Sequence, residues 1–184
     1  MELKSETQYA LLLSDDFRYH FSAASDPDLL VHYGDNWRKT DEVAAITNLF
    51  HGFKNEFGET LAGASSINMT LYGVQYLSSD PDHPDSTGQY RKVVVTTMNM
   101  VIEVPSTPDP TVYQVNSRHE FFLVRGDAAV LAPGASADTT RWYVRKWDDM
   151  ASPLAVKGPV INPSNAITLG SIRARYAAPP PAFE

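Results

Sequence analysis

The chain contains no cysteine, which removes disulfides, thiolate nucleophiles and cysteine-ligated metals together. No apolar run approaches the roughly 20 residues that a helix needs to cross a bilayer. The opening segment, Met1 to Gln8, has no apolar stretch before its first polar break, so no signal peptide is expected in the chain as it stands. An export signal already removed would be compatible with that reading. Basic residues are outnumbered, 15 against 22 acidic ones, for a formal net charge of −7. Arg118, Arg125, Arg141, Arg145 and Lys146 are interspersed with acids and aromatics rather than gathered. A chain of this sign is repelled by nucleic acid and anionic lipid, and no nucleic-acid partner or membrane span is expected. Gly-x-Ser-x-Gly and glycine-rich phosphate loops are missing. None of the five histidines stands at a His-x-His or His-x3-His spacing from another, so no metal is expected, nor any cofactor. The Asp80, Asp82, His83, Asp85 loop lacks the glycine and terminal glutamate of a calcium loop and reads as a solvated hairpin tip.

What is present describes a build. At 184 residues, 43% hydrophobic and 20% charged, the chain fits one globular domain with a self-sufficient core. Ser5-Glu6-Thr7-Gln8 is a capping box that opens a short helix carrying Tyr9, Leu12 and Leu13. Phe17, Tyr19 and Phe21 then alternate with Arg18 and His20, the period of a half-buried strand. Ser25 to Asp28 and Tyr33 to Asn36 read as turns. Thr40-Asp41-Glu42 opens a second helix with acids in its first turn, and Val43, Ile46, Leu49, Phe50 and Phe53 form its apolar stripe. Gly58 or Gly63 marks its latest exit.

Strand patterns follow at about 66–78, 90–104, 112–125 and 140–148, joined by Pro- and Asp-rich connections that suit antiparallel hairpins. Helices followed by a strand meander indicate an α+β domain with a curved antiparallel sheet. Beyond Ser152, prolines preclude long elements, apart from one short helix within 167–176, capped by Thr168 and docked through Ile172 and Tyr176. One domain over 1–176 and a disordered tail at 177–184 are expected.

The strand at 112–125 carries the candidate chemistry. Tyr113, Val115, Ser117, His119, Phe121 and Leu123 share one face, and the more apolar character of that face points it inward. His119 is therefore either a general base or ligand anchor, or a core histidine satisfied by Ser117, a tyrosine or the backbone. No acid on that face of the strand is placed to orient it. Trp37, Trp142 and Tyr19 are the aromatic candidates for lining a ligand cavity beside His119 and Ser117; packing alone also accounts for them. Arg118, Glu120, Tyr143 and Arg145 fall on the opposite face and would suit a self-complementary patch for a homodimer through the sheet. Asp149, closing the last strand, is expected to accept from a turn or to pair with Arg145.

Several pieces together resemble the NTF2-like superfamily, the cone-shaped, cystatin-like α+β fold of SnoaL and ketosteroid isomerase, and most of all a set of uncharacterised bacterial domains within it. They are Tyr9-Ala10-Leu11-Leu12-Leu13-Ser14-Asp15-Asp16-Phe17, Trp37 with Glu42 and Asn48-Leu49-Phe50, Glu120-Phe121-Phe122-Leu123-Val124-Arg125, Arg141-Trp142-Tyr143-Val144 with Trp147 and Asp149, and Leu169-Gly170-Ser171-Ile172. The resemblance spans about residues 5–176 and implies a strongly curved antiparallel sheet with N-terminal helices on its concave face. It implies either a small apolar ligand or protein partner held without catalysis, or an isomerase- or cyclase-type acid–base site in the cone. Members of that fold usually begin with a long helix across the cone's mouth. Only eight residues precede Tyr9 here, so either the chain is truncated or another segment, the C-terminal tail or a second copy of the chain, is expected to cover the apolar face.

Overall fold

The computed structural model describes residues 5–54, 58–77, 80–84, 88–135, 137–151 and 167–177. In chain order the elements are α1 (Glu6–Ala10), β1 (Leu13–His20), α2 (Pro27–Tyr33), α3 (Lys39–His51), β2 (Gly52–Lys54), β3 (Thr60–Ala62), β4 (Ser66–Leu77), β5 (Tyr90–Val104), β6 (Thr111–Gly126), β7 (Asp138–Asp149) and α4 (Leu169–Tyr176). Five strands form one sheet in the order β1-β7-β6-β5-β4, and β2 and β3 form a separate hairpin. The architecture is α+β.

The sheet is mixed, which corrects the expectation of a purely antiparallel one. β4, β5, β6 and β7 pair antiparallel, but β1 joins β7 in parallel, with Tyr19 beside Trp147 and His20 beside Asp148. A hairpin can only make antiparallel neighbours, whereas β1 is separated from its partner by most of the chain and is free to lie either way.

Local signals explain most boundaries. The Ser5 side chain accepts the Gln8 N–H at 3.2 Å and caps α1, which ends at Ala10 because Leu13 is already drawn into the sheet. In α3 the Asp41 carboxylate accepts the Arg38 N–H at 2.8 Å, and Gly52 ends the helix within the expected limit but leaves Phe53 of the expected stripe on β2. Helix α2 starts inside the expected turn at 25–28, with Asp26 at its N-cap and Pro27 in its first turn as ordinary start signals, while the expected turn at 33–36 is present, closed by the Asn36 N–H donating to the Tyr33 carbonyl at 2.9 Å. The β2–β3 hairpin was not expected at all. It is only three residues per strand, too short to show a period.

Register shifts bend the main sheet. Pairing between β5 and β6 slips between Val95 and Met98, and pairing between β6 and β7 slips between Phe122 and Leu123. Opposite the first slip, Gly73 adopts φ +61°, and a Cβ there would meet the Thr96 hydroxyl at 2.6 Å. Extra residues of this kind kink a strand and increase its twist. They keep Val95 and Met98 both on the buried face, three residues apart.

Helices α3 and α4 lie against each other over that face. Leu169, Ile172 and Tyr176 of α4 are buried in the same core as Trp37, Ala45 and Leu49. Each such side chain contributes about 1.5–3 kcal/mol relative to exposure, enough for eight residues to dock stably. The Thr168 side chain caps α4, accepting the Ser171 N–H at 2.9 Å and donating to Asp26 at 2.7 Å. No helix among the described residues is long and apolar enough to cross a membrane. Of the tail expected at 177–184, Ala177 is described and packs against the core, while 178–184 lie outside the described residues, as does Asp85.

Candidate functional site

Between the sheet and the helices is a cavity of about 510 Å3. Ala45, Ile46, Leu49 and Phe50 line it from α3, Ile67, Met69 and Leu71 from β4, and Met98 and Met100 from β5. Phe121, Val144 and Trp147 form the rest of its sheet wall; Tyr9, Leu12 and Leu13 close one side, and Leu169, Ile172, Arg173 and Tyr176 of α4 the other. Almost the whole lining is apolar. Arg173 is its one charged residue.

Arg173 is 2% exposed and is held by a complete set of partners on one edge. Its Nε donates to Glu42 Oε2 and its Nη2 to Glu42 Oε1, both at 2.7 Å, a side-on pair in which two parallel bonds fix the geometry. Glu42, fully buried on α3, also accepts from the Tyr9 hydroxyl and, at 2.8 Å, from the Trp37 indole. Burial pushes the Glu42 carboxyl upward, but the charge and hydrogen bonds of Arg173, with those of Tyr9 and Trp37, outweigh it and hold the group below its usual range. Burial likewise works against the Arg173 charge, and Glu42 more than restores it. The guanidinium carbon lies over two rings, 4.1 Å from the centre of Tyr19 and 4.3 Å from that of Trp147. Its Nη1 is buried and has no hydrogen-bond partner among the described residues.

Behind Trp147 is a second cluster, built on β1, β6 and β7. His119 is fully buried, as expected, and sits opposite Asp149 in the β6–β7 register. The Trp147 indole donates to His119 Nδ1 at 3.1 Å, and Ser117 Oγ lies 2.7 Å from Nε2. An indole N–H can only donate, so Nδ1 carries the lone pair and the proton is on Nε2, directed to Ser117. Burial first, and the nearby positive charge of Arg173 second, drive the His119 pKa down to about 3. The imidazole is thus neutral and both its nitrogens are engaged. Asp149 stands 3.8 Å from Nδ1, beyond hydrogen-bond reach. It accepts instead from the Tyr19 hydroxyl at 2.9 Å and from the Ala151 N–H at 2.9 Å. Its carboxyl is raised by burial, against the lowering effect of those bonds. Burial, and then the Asp149 charge, raise the Tyr19 hydroxyl well above its ordinary value.

None of His119, Ser117, Trp37, Tyr19 and Trp142 lines the cavity. The first four are buried beneath or beside its wall, and Trp147 and Phe121 stand between His119 and the hollow. Trp142 is half-buried near the far end of β7, with the Arg91 guanidinium 4.5 Å from its ring centre. Tyr19 and Trp37 are nevertheless brought to the site indirectly, one against Arg173 and the other on Glu42.

The residues the sequence reading missed are Arg173, Glu42 and Tyr9 in this role. Arg173 stands next to Ile172 and three residues before Tyr176, on the helix's docking side, and that position was the available signal for the first. On the opposite face, Arg145 pairs with Asp80 at 2.8 Å rather than with Asp149, and Asp80 is fully buried, not at a solvated tip. Arg118 and Lys92 pair with Glu120, which is itself buried. Among the described residues no group of acids and histidines could hold a metal ion. No protein family model, curated protein or solved structure matches this chain.

Proposed function

We propose that the protein is an NTF2-like, cone-type domain that holds a small, largely apolar molecule between its sheet and its helices. The order of its elements, the parallel return of β1 beside the last strand, and the bulges at Val95/Met98 and Phe122/Leu123 support the cone reading. The single observation that carries the ligand reading is the cavity: about 510 Å3, almost wholly apolar in its lining, against one buried arginine. Protein interiors are close-packed, and a hollow of this size matches the volume of ligand pockets rather than a packing defect. α4 covers one side of the cavity through Leu169, Ile172, Arg173 and Tyr176.

An isomerase-type site with His119 as base draws less support. A base of pKa about 3 whose lone pair already accepts the Trp147 indole has little driving force to take a proton near neutrality.

Titration with the neutral apolar dye N-phenyl-1-naphthylamine tests the reading. Saturable 1:1 fluorescence enhancement is expected in the wild type, and its loss in Ile46→Trp, which fills the cavity from α3. No saturable binding, or equal binding by the filled variant, would remove the proposal.

A further inference from the structure

Ten large apolar side chains are exposed among the described residues, and six of them, Met69, Leu71, Tyr72, Val74, Tyr76 and Leu77, stand on β4. That strand is an edge of the five-stranded sheet, and among the described residues only β5 pairs with it. The other edge is partly covered, because the Tyr19 N–H of β1 donates to the Trp37 carbonyl at 3.1 Å and Arg18 bridges to Arg38. A free edge presents unpaired N–H and C=O groups to any further strand, and natural sheets blunt such edges with charges, prolines or bulges. Ser66–Leu77 contains no Asp, Glu, Lys, Arg or Pro. The kink at Gly73, with φ +61°, is the one such feature there. Edge and cavity also meet. Met69 and Leu71, 53% and 40% exposed, both belong to the cavity lining, so the hollow is open along this strand.

We infer that β4 pairs antiparallel with β4 of a second copy of this chain, joining two sheets into one and closing the open side of each cavity with the partner's apolar row. Such a pairing is two-fold symmetric and consumes the free edge of both copies, so assembly stops at two. The six side chains expose roughly 600 Å2 per copy, on a scale of about 150–250 Å2 for a large side chain. A dimer then buries roughly 1,000–1,200 Å2 in total, the low end of what a specific interface needs. The formal charge of −7 repels one copy from another, but an uncharged strand lets these two surfaces meet without like charges face to face. An extended peptide of another protein would find hydrogen bonds on the same edge, yet no charged side chain there to select it. A second copy brings the same apolar row by symmetry. The pairing does not depend on what the cavity holds, and it uses the sheet's edge rather than the polar face of Arg118, Glu120, Tyr143 and Arg145.

Sedimentation velocity of the full chain across the micromolar range tests this. A monomer–dimer equilibrium with no larger species is expected. Tyr72→Lys with Tyr76→Lys changes two exposed side chains off the cavity lining, and should weaken the dimer at least about a hundredfold by placing lysines against their symmetry mates. Hydrogen exchange on dilute and concentrated wild type keeps the test decisive if the lysine variant does not fold: the protection gained on concentration should fall on β4. A wild type that stays monomeric throughout would overturn the proposal. So would a dimer indifferent to the lysines, growth beyond two copies, or protection gained elsewhere than on β4.

Discussion

The cluster around Glu42 and the cluster around His119 share a wall, the rings of Tyr19 and Trp147, and are built on opposite electrical terms. The first is ionised: a carboxylate held below its usual range against a guanidinium that keeps its charge in full burial. The second holds a neutral imidazole, pushed to about 3, beside a carboxyl that burial raises, and neither meets a cation in a hydrogen bond. Both obey the rule that a buried charge survives only with a partner. The difference lies in where the partner comes from. Glu42 meets a cation delivered by α4 from 131 residues away in sequence, while His119 has only serine and tryptophan within reach. One cluster therefore reaches the cavity lining through Tyr9 and Arg173, and the other is a sealed part of the core.

The sharpest way to break the comparison is to remove one ion. Arg173→Met leaves Glu42 buried and unpaired and should cost about 3–5 kcal/mol; adding Glu42→Gln to the same chain should restore most of that, as read by urea denaturation. If the double variant stays as unstable as the single one, packing rather than charge dominates this cluster. The docking of α4 offers the next test. A Cβ on Gly170 would meet Asp26 Oδ2 at 2.8 Å and Phe21 at 2.9 Å, so Gly170→Ala should cost about 1–3 kcal/mol through overpacking. An unchanged melting temperature would show that the helix shifts freely.

The His119 cluster should announce itself through pH. Its folded-state pKa is depressed to about 3, so the unfolded chain binds the extra proton and the fold loses stability as pH falls below about 6.5. The loss from this group should reach about 2 kcal/mol between pH 6.5 and pH 5, a window above the range in which Glu42 itself would protonate. His119→Phe should flatten that part of the stability curve, and a slope identical to wild type would assign the effect elsewhere. The smallest effect is expected for Ser117→Ala. It removes the acceptor of the Nε2 proton and should cost about 1 kcal/mol, with ligand-probe binding unaltered because Ser117 lies off the cavity.

Much of the fold was legible because it depends on short-range signals. The alternation in Tyr113 to Leu123, the β-branched Val93-Val94-Val95 run and the Thr168 cap each act over a few residues. The observed strands Ser66–Leu77, Tyr90–Val104, Thr111–Gly126 and Asp138–Asp149 lie close to those spacings. Helix α2 escaped because Asp26-Pro27 serves equally as a turn or a helix start. The parallel placement of β1 escaped because no local pattern encodes the direction of a distant neighbour. For the site, inward-pointing parity found His119 and Ser117 correctly as buried, yet parity cannot say whether a buried residue reaches a cavity or stands behind one.

By itself the sequence determined the α+β build, the lack of thiol chemistry, the acidic balance and the burial of His119, since composition and periodicity are properties of neighbours along the chain. Only the tertiary structure decided that Arg173 meets Glu42 and that Trp147 gives its indole N–H to His119. Those outcomes depend on which surfaces meet when a late helix docks on an early one, and pairing across that distance leaves no periodic trace to read.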